Sequence, residues 1–183
     1  MAVYEESVPA SGLVEGHGGD HAVRIARAHG VRTMFTLSGA HVFPLYDAAV
    51  GGGPGPDASA PREPLLRLID VRHEQTAIFA AEATGRLTRT PGFAVVTAGP
   101  GVTNGISAMT QAHRAGSPVV VLGGRAATER WGQGSLQELD HPAVLGPVTK
   151  RAWTIPTIDD VPGGVDEAFA LAGAAHRGPV FVD

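Results

Sequence analysis

Short β-type runs that do not alternate between apolar and polar residues most constrain what this sequence can fold into. They are Thr33–Leu37 (TMFTL), Leu66–Asp70, Phe93–Thr97, Pro118–Leu122 (PVVVL) and Pro179–Val182 (PVFV), with a weaker one at Ala152–Ile155. A run apolar on both sides of its pleat is buried on both faces, which is the condition of a parallel sheet covered by helices. Helix-type patterns separate the runs. The first has apolar positions at Ala22, Val23, Ile25, Ala26 and Ala28, with Asp20 as the expected N-cap and Gly30 as the stop. Others cover 42–50, 73–90, 102–115 and 159–175. The alternation predicts an α/β domain, a three-layer α/β/α arrangement around a mostly parallel sheet of about six strands. Residues 1–18 lack periodicity and read as a flexible leader, 19–183 as one domain, and 51–64 (GGGPGPDASAPREP) as a flexible surface loop.

Composition narrows the function classes. A net charge of −4 over 183 residues gives no basic footprint for nucleic acid or an anionic membrane. Cysteine is absent, which excludes disulfides and thiolate metal sites and fits a cytoplasmic location. No apolar run approaches the roughly 20 residues of a membrane span.

In open α/β sheets ligands sit outside the carboxyl ends of the strands. Three turns, at 38–41, 72–74 and 98–104, follow strands and are expected to meet at that edge. Glu74 opens a helix pattern there. A carboxylate at a helix start is favoured by the macrodipole whatever its function; beside a glycine-rich turn it can also hold a flat polar ligand. His73-Glu74 begins like the zinc motif HExxH, but Ala77 stands where the second histidine belongs, and no metal site is expected. Gly99-Pro100-Gly101-Val102-Thr103-Asn104-Gly105 lies between a strand and a helix, as a phosphate-cradling turn does. It follows the third strand, however, and the next strand ends in Gly123-Gly124-Arg125 with no acid for a ribose. A dinucleotide site and a plain tight turn both remain open on these residues alone.

Taken in order, RHEQ with its Ala-rich helix, TAGPGVTNG, SPVVVLGGRA, QELD and PVTK resemble the N-terminal pyrimidine-binding domain of thiamine-diphosphate enzymes. The likeness is strongest to acetolactate-synthase-like large subunits, with benzaldehyde lyase and 2-hydroxyacyl-CoA lyases as relatives. It implies thiamine diphosphate as cofactor, with Glu74 hydrogen-bonding N1′ of its aminopyrimidine and sharing a proton with that ring. The cofactor then carries the carbanion chemistry and the protein sets tautomer and geometry. The resemblance places Gly39, Ala40 and His41 on the turn facing the reaction centre. It makes Gly99, Gly101 and Asn104 cofactor neighbours, Gln137 an active-site glutamine and Lys150 a residue of the substrate channel. His41 stands where acetolactate synthases tend to carry serine, and benzaldehyde lyase has a Gly-Ala-His turn.

Departures bear on FAD: Leu136 replaces the usual Phe, and His176, followed by Arg177, replaces a flavin-binding arginine. FAD binding is therefore open. No GDG motif occurs, so Mg²⁺ and the diphosphate are expected to be held by a separate domain not in this chain. The resemblance thus implies the cofactor-activating part of a carboligase or decarboxylase acting on a 2-oxo acid, inactive alone and working in a homodimer or homotetramer. The rival expectations are a non-catalytic assembly or regulatory module of the same fold, and a nucleotide-binding domain.

Overall fold

A computed structural model describes residues 16–51 and 64–183. Six parallel strands form one sheet: β1 (Thr33–Thr36), β2 (Arg67–Asp70), β3 (Gly92–Val96), β4 (Val119–Gly123), β5 (Arg151–Trp153) and β6 (Pro179–Val182). Their spatial order is β2-β1-β3-β4-β6-β5. The helices are α1 (Gly18–Ala28), α2 (Phe43–Ala49), α3 (Glu74–Thr88), α4 (Pro100–Thr103), α5 (Ile106–Ala115), α6 (His141–Leu145) and α7 (Val161–Gly173). The expected α/β class and strand count are therefore those of the structure.

The pleat of β3 shows why its run is apolar throughout. Phe93 and Val95 pack with α1, α2 and α7, whereas Ala94 and Val96 pack with α3 and α5 on the other face. Phe93, Phe169 and Phe181 are all fully enclosed, and each such side chain contributes about 1.5–3 kcal/mol by leaving water.

Two local expectations need correction. His17, not Asp20, caps α1: its Nδ1 accepts from the Asp20 N–H at 3.2 Å, while the Asp20 carboxylate accepts from the His17 N–H at 3.0 Å. This is a capping box with histidine in the usual place of serine or threonine. The helix thus starts at Gly18, inside the expected leader; the leader's other residues, 1–15, and most of the loop, 52–63, lie outside the described residues.

The chain runs β1 to β2 in one direction, then α3 crosses back and β3 pairs on the opposite side of β1. That reversal opens a crevice between the carboxyl ends of β1 and β3, the position where ligands bind in such sheets.

Candidate functional site at the strand-order reversal

Thr97, the first residue beyond β3, is the centre of this crevice. A Cβ on Gly39 would stand 2.3 Å from the Thr97 side chain, and one on Gly101 would stand 2.7 Å from it. Only glycine lets the turns after β1 and β3 close on Thr97 this tightly. The His41 Nδ1 lies 3.3 Å from the Thr97 hydroxyl, which in turn donates to Gln137 Oε1 at 3.4 Å. The His41 Nδ1 contact leaves its outer ring nitrogen, Nε2, without a partner among the described residues. Ala40 is exposed between Gly39 and His41.

Glu74 is the first residue of α3, and His73 caps the helix by accepting from the Gln75 N–H at 3.1 Å. The Glu74 side chain is turned inward, and the residue is only 8% exposed. Its Oε2 accepts from Asn104 Nδ2 at 3.0 Å. Its Oε1 has no hydrogen-bond partner among the described residues and faces the glycine turn, where a Cβ on Gly101 would stand 3.7 Å away. One oxygen is fixed and the other is left for a ligand.

Gly99 adopts φ 58° and ψ −114°, a left-handed conformation that a side chain would resist. Its place is set from behind. The Gly99 N–H donates to His141 Nε2 at 2.8 Å, and His141 Nδ1 lies 2.7 Å from Asp183 Oδ2. Both side chains are fully buried. Since Nε2 accepts, the proton sits on Nδ1 and is given to Asp183, which fixes the imidazole as one neutral tautomer. Gln137 also has positive φ, 59°, and its backbone presses on the Gly99 turn.

The structure thus brings together Gly39, His41, Glu74, Gly99, Gly101, Asn104 and Gln137, residues drawn from four separate stretches of sequence. Lys150 is not with them. It precedes β5 at the amino edge of the sheet, where its Nζ donates to the carbonyls of Leu171 and Ala174 at the end of α7. Burial lowers its pKa from the ordinary lysine value. His176 and Arg177 lie on the α7–β6 connection at that same edge. Sequence reasoning missed Thr97, His141 and Asp183, whose contacts span 40 or more residues and leave no local signal. Among the described residues no group of three or more His, Asp or Glu side chains is placed to hold a metal ion, and no helix is long and apolar enough to cross a membrane.

Residues 16–144 match the family described as thiamine pyrophosphate enzyme, N-terminal TPP binding domain. The chain is 48% identical over 167 residues to an acetolactate synthase large subunit of Mycobacterium tuberculosis, an alignment covering 91% of this chain and 28% of that protein. It is 40% identical to human 2-hydroxyacyl-CoA lyase 2, covering 91% of this chain and 24% of the relative, and 39% identical to the Danio rerio protein of the same name, covering 91% and 25%. The chain therefore spans about a quarter of the length of the curated relatives it matches.

Proposed function

The chain belongs to the thiamine pyrophosphate enzymes, as their N-terminal TPP binding domain, and from that premise we propose that it activates the cofactor of an acetolactate-synthase-like carboligase or decarboxylase acting on 2-oxo acids. The observation that carries the reading is the half-engaged carboxyl of Glu74 at the strand-order reversal. A carboxyl oxygen shielded from water and aimed at the ligand edge can share a proton with a ring nitrogen without competition from solvent.

In this reading Glu74 Oε1 meets the ring nitrogen of the aminopyrimidine, and Asn104 keeps the carboxyl from rotating away. In the turn Gly99-Pro100-Gly101 the two glycines leave bare backbone for the flat ring to approach. His41, through Nε2, and Gln137 stand on the Thr97 side, where they orient donor and acceptor or take up a proton. When bound, thiamine diphosphate supplies the nucleophilic thiazolium carbon and the electron sink for loss of CO₂. Its diphosphate and Mg²⁺ are left to another domain, contributed within a dimer or higher oligomer, so the isolated chain is inactive.

The test is Glu74→Gln in the holoenzyme. Glutamine keeps the shape and the Asn104 contact but cannot trade the proton. Turnover should fall by about 10²–10⁴, the range of a lost proton-transfer group, with thermal stability unchanged. Full activity would refute the reading.

A further inference from the structure

Beside the Glu74 crevice, and sharing His41 with it, lies a cavity of about 430 Å³ lined also by Arg125, Arg130, Ser135 and Leu136. No acidic side chain lines it. Arg125 follows β4, its guanidinium stacked 3.9 Å from the centre of the Trp131 ring and its side chain 21% exposed. Its donors are poorly used. Only Nη1 is engaged, in long contacts of 3.3 Å to Thr128 Oγ1 and 3.4 Å to the Ala126 carbonyl.

Asp183 approaches Arg125 from behind, but the Nε to Oδ1 distance is 3.9 Å and Oδ1 has no hydrogen-bond partner. The other Asp183 oxygen is committed to His141. Glu138 is turned into its own loop, accepting from the Gly132 and Ser135 N–H groups at 2.9 and 3.2 Å, and Glu129, beside Arg130 in sequence, does not line the cavity. Arg130 makes no side-chain hydrogen bond or ion pair among the described residues. Two guanidinium groups therefore face one cavity that no carboxylate lines, and the one acid opposite Arg125, Asp183, stands behind it at ion-pair distance without a hydrogen bond.

We propose that this cavity is a carboxylate subsite, in which Arg125 takes the carboxylate of a small acid through its planar fork while Arg130 closes the rim. Arginine on an aromatic face is pre-organised for such bidentate contacts, and few of its donors must be released first. The acid's other end then points toward His41 and, through Thr97, toward the Gly99–Gly101 turn. The identity of the acid as a 2-oxo acid rests on the function proposed above; the binding of a carboxylate here does not.

The experiment is titration of the full chain with pyruvate, followed by the Arg125 Nε–H and Trp131 indole resonances, with pyruvamide as the uncharged isostere and inorganic phosphate as the competing oxyanion. Pyruvate should perturb both resonances and bind at least about tenfold more tightly than pyruvamide, the order expected for a hydrogen bond to a charged group. Arg125→Gln should weaken pyruvate by about tenfold or more. Arg125→Lys, which keeps the charge beside Asp183 and so protects the fold, should lose part of that affinity. Arg130→Gln should cost only about two- to fivefold, as a rim charge does. Equal binding of pyruvate and pyruvamide, phosphate binding tighter than pyruvate, or indifference to Arg125→Gln and Arg125→Lys would each overturn the subsite. If these binding results hold while Glu74→Gln retains full turnover, the cofactor reading fails and the subsite stands; the reverse pattern removes only the subsite.

Discussion

Glu74 and Glu82 sit on the same helix, two turns apart, and are buried to nearly the same degree, 8% and 7% exposed. What separates them is where each carboxylate points, into the packing of α3 on β4 or toward the glycine turn after β3. Glu82 accepts a 2.6 Å hydrogen bond from the Ser117 hydroxyl just before β4, and Arg86 stands 3.9 Å away one turn along α3. Glu74 has Asn104 on one oxygen and no partner on the other. A buried carboxylate is costly unless its acceptors are filled. Each has one engaged oxygen, Oε1 on Glu82 and Oε2 on Glu74; Glu82 ties α3 to the start of β4 at the amino edge of the sheet, whereas Glu74 stands at the carboxyl edge, where ligands bind in such sheets. The two carboxylates are alike in burial and differ in place: only Glu74 faces the glycine turn at the strand-order reversal.

The strongest way to break this contrast is the pair of amide substitutions. Glu74→Gln should remove about 10²–10⁴ of holoenzyme turnover and leave the melting temperature where it was. Glu82→Gln should leave turnover alone. If both variants lost turnover equally, or both lost stability equally, the distinction would collapse.

A third carboxylate, Asp183, extends the comparison to full enclosure. Its Oδ2 is matched to His141, and neither side chain touches solvent. Removing the histidine strands a buried charge, so His141→Leu should destabilise the chain by about 3–5 kcal/mol, read from urea unfolding. His141→Gln, which can still accept from Gly99 and donate to Asp183, should recover part of it. Retained stability in His141→Leu would mean that Asp183 does not depend on this partner.

Below that comes Glu82 itself. Either Glu82→Gln or Ser117→Ala should cost about 1–3 kcal/mol through one unsatisfied buried group, and the double variant should cost less than the sum because the two share one bond. An additive result would show that Ser117 and Glu82 are stabilised separately.

The sheet was legible because each core strand is apolar on both faces, and the pleat of β3 uses both. Glu74 was legible because a carboxylate opening a helix, next to a glycine turn, is a local pattern with a family likeness behind it. Thr97 was not, since a threonine closing a strand run carries no signal until the reversal of strand order sets two turns against it. His141 was not, because its partners are 42 residues away in both directions. Glu82 looked like any solvent-facing glutamate on an Ala-rich helix; only the tertiary approach of Ser117 buries it. The N-cap of α1 was misassigned because histidine is an uncommon cap, and the acid three residues on drew the attention. Lys150 was placed with the site because motif order says nothing about which edge of the sheet a residue occupies.

The smallest expected effect concerns that lysine and is set by strand direction. Lys150 precedes β5, so it lies at the amino edge, bound to the last carbonyls of α7. Desolvation lowers its pKa below the ordinary lysine value of 10.5. A lysine whose folded pKa is depressed holds its proton less firmly in the native state than in the unfolded chain. Its penalty is therefore full at neutral pH and is relieved as pH rises through the folded value toward the ordinary one. Tyr46 acts in the opposite sense: burial raises its pKa, so its contribution is intact below about 10 and lost as pH climbs through the raised folded value. Lys150→Gln should thus remove a rising component from the alkaline stability profile, and Tyr46→Phe a falling one, in urea midpoints measured from pH 7 to 10.5. Both changes should be smaller than that of Glu82→Gln. Holoenzyme turnover should not follow Lys150→Gln at all, because the last turn of α7, which Lys150 contacts, and the Glu74 crevice lie at opposite edges of the sheet. A tenfold loss of turnover with an unchanged alkaline profile would mean that the lysine works at the site and that its contacts with α7 are incidental.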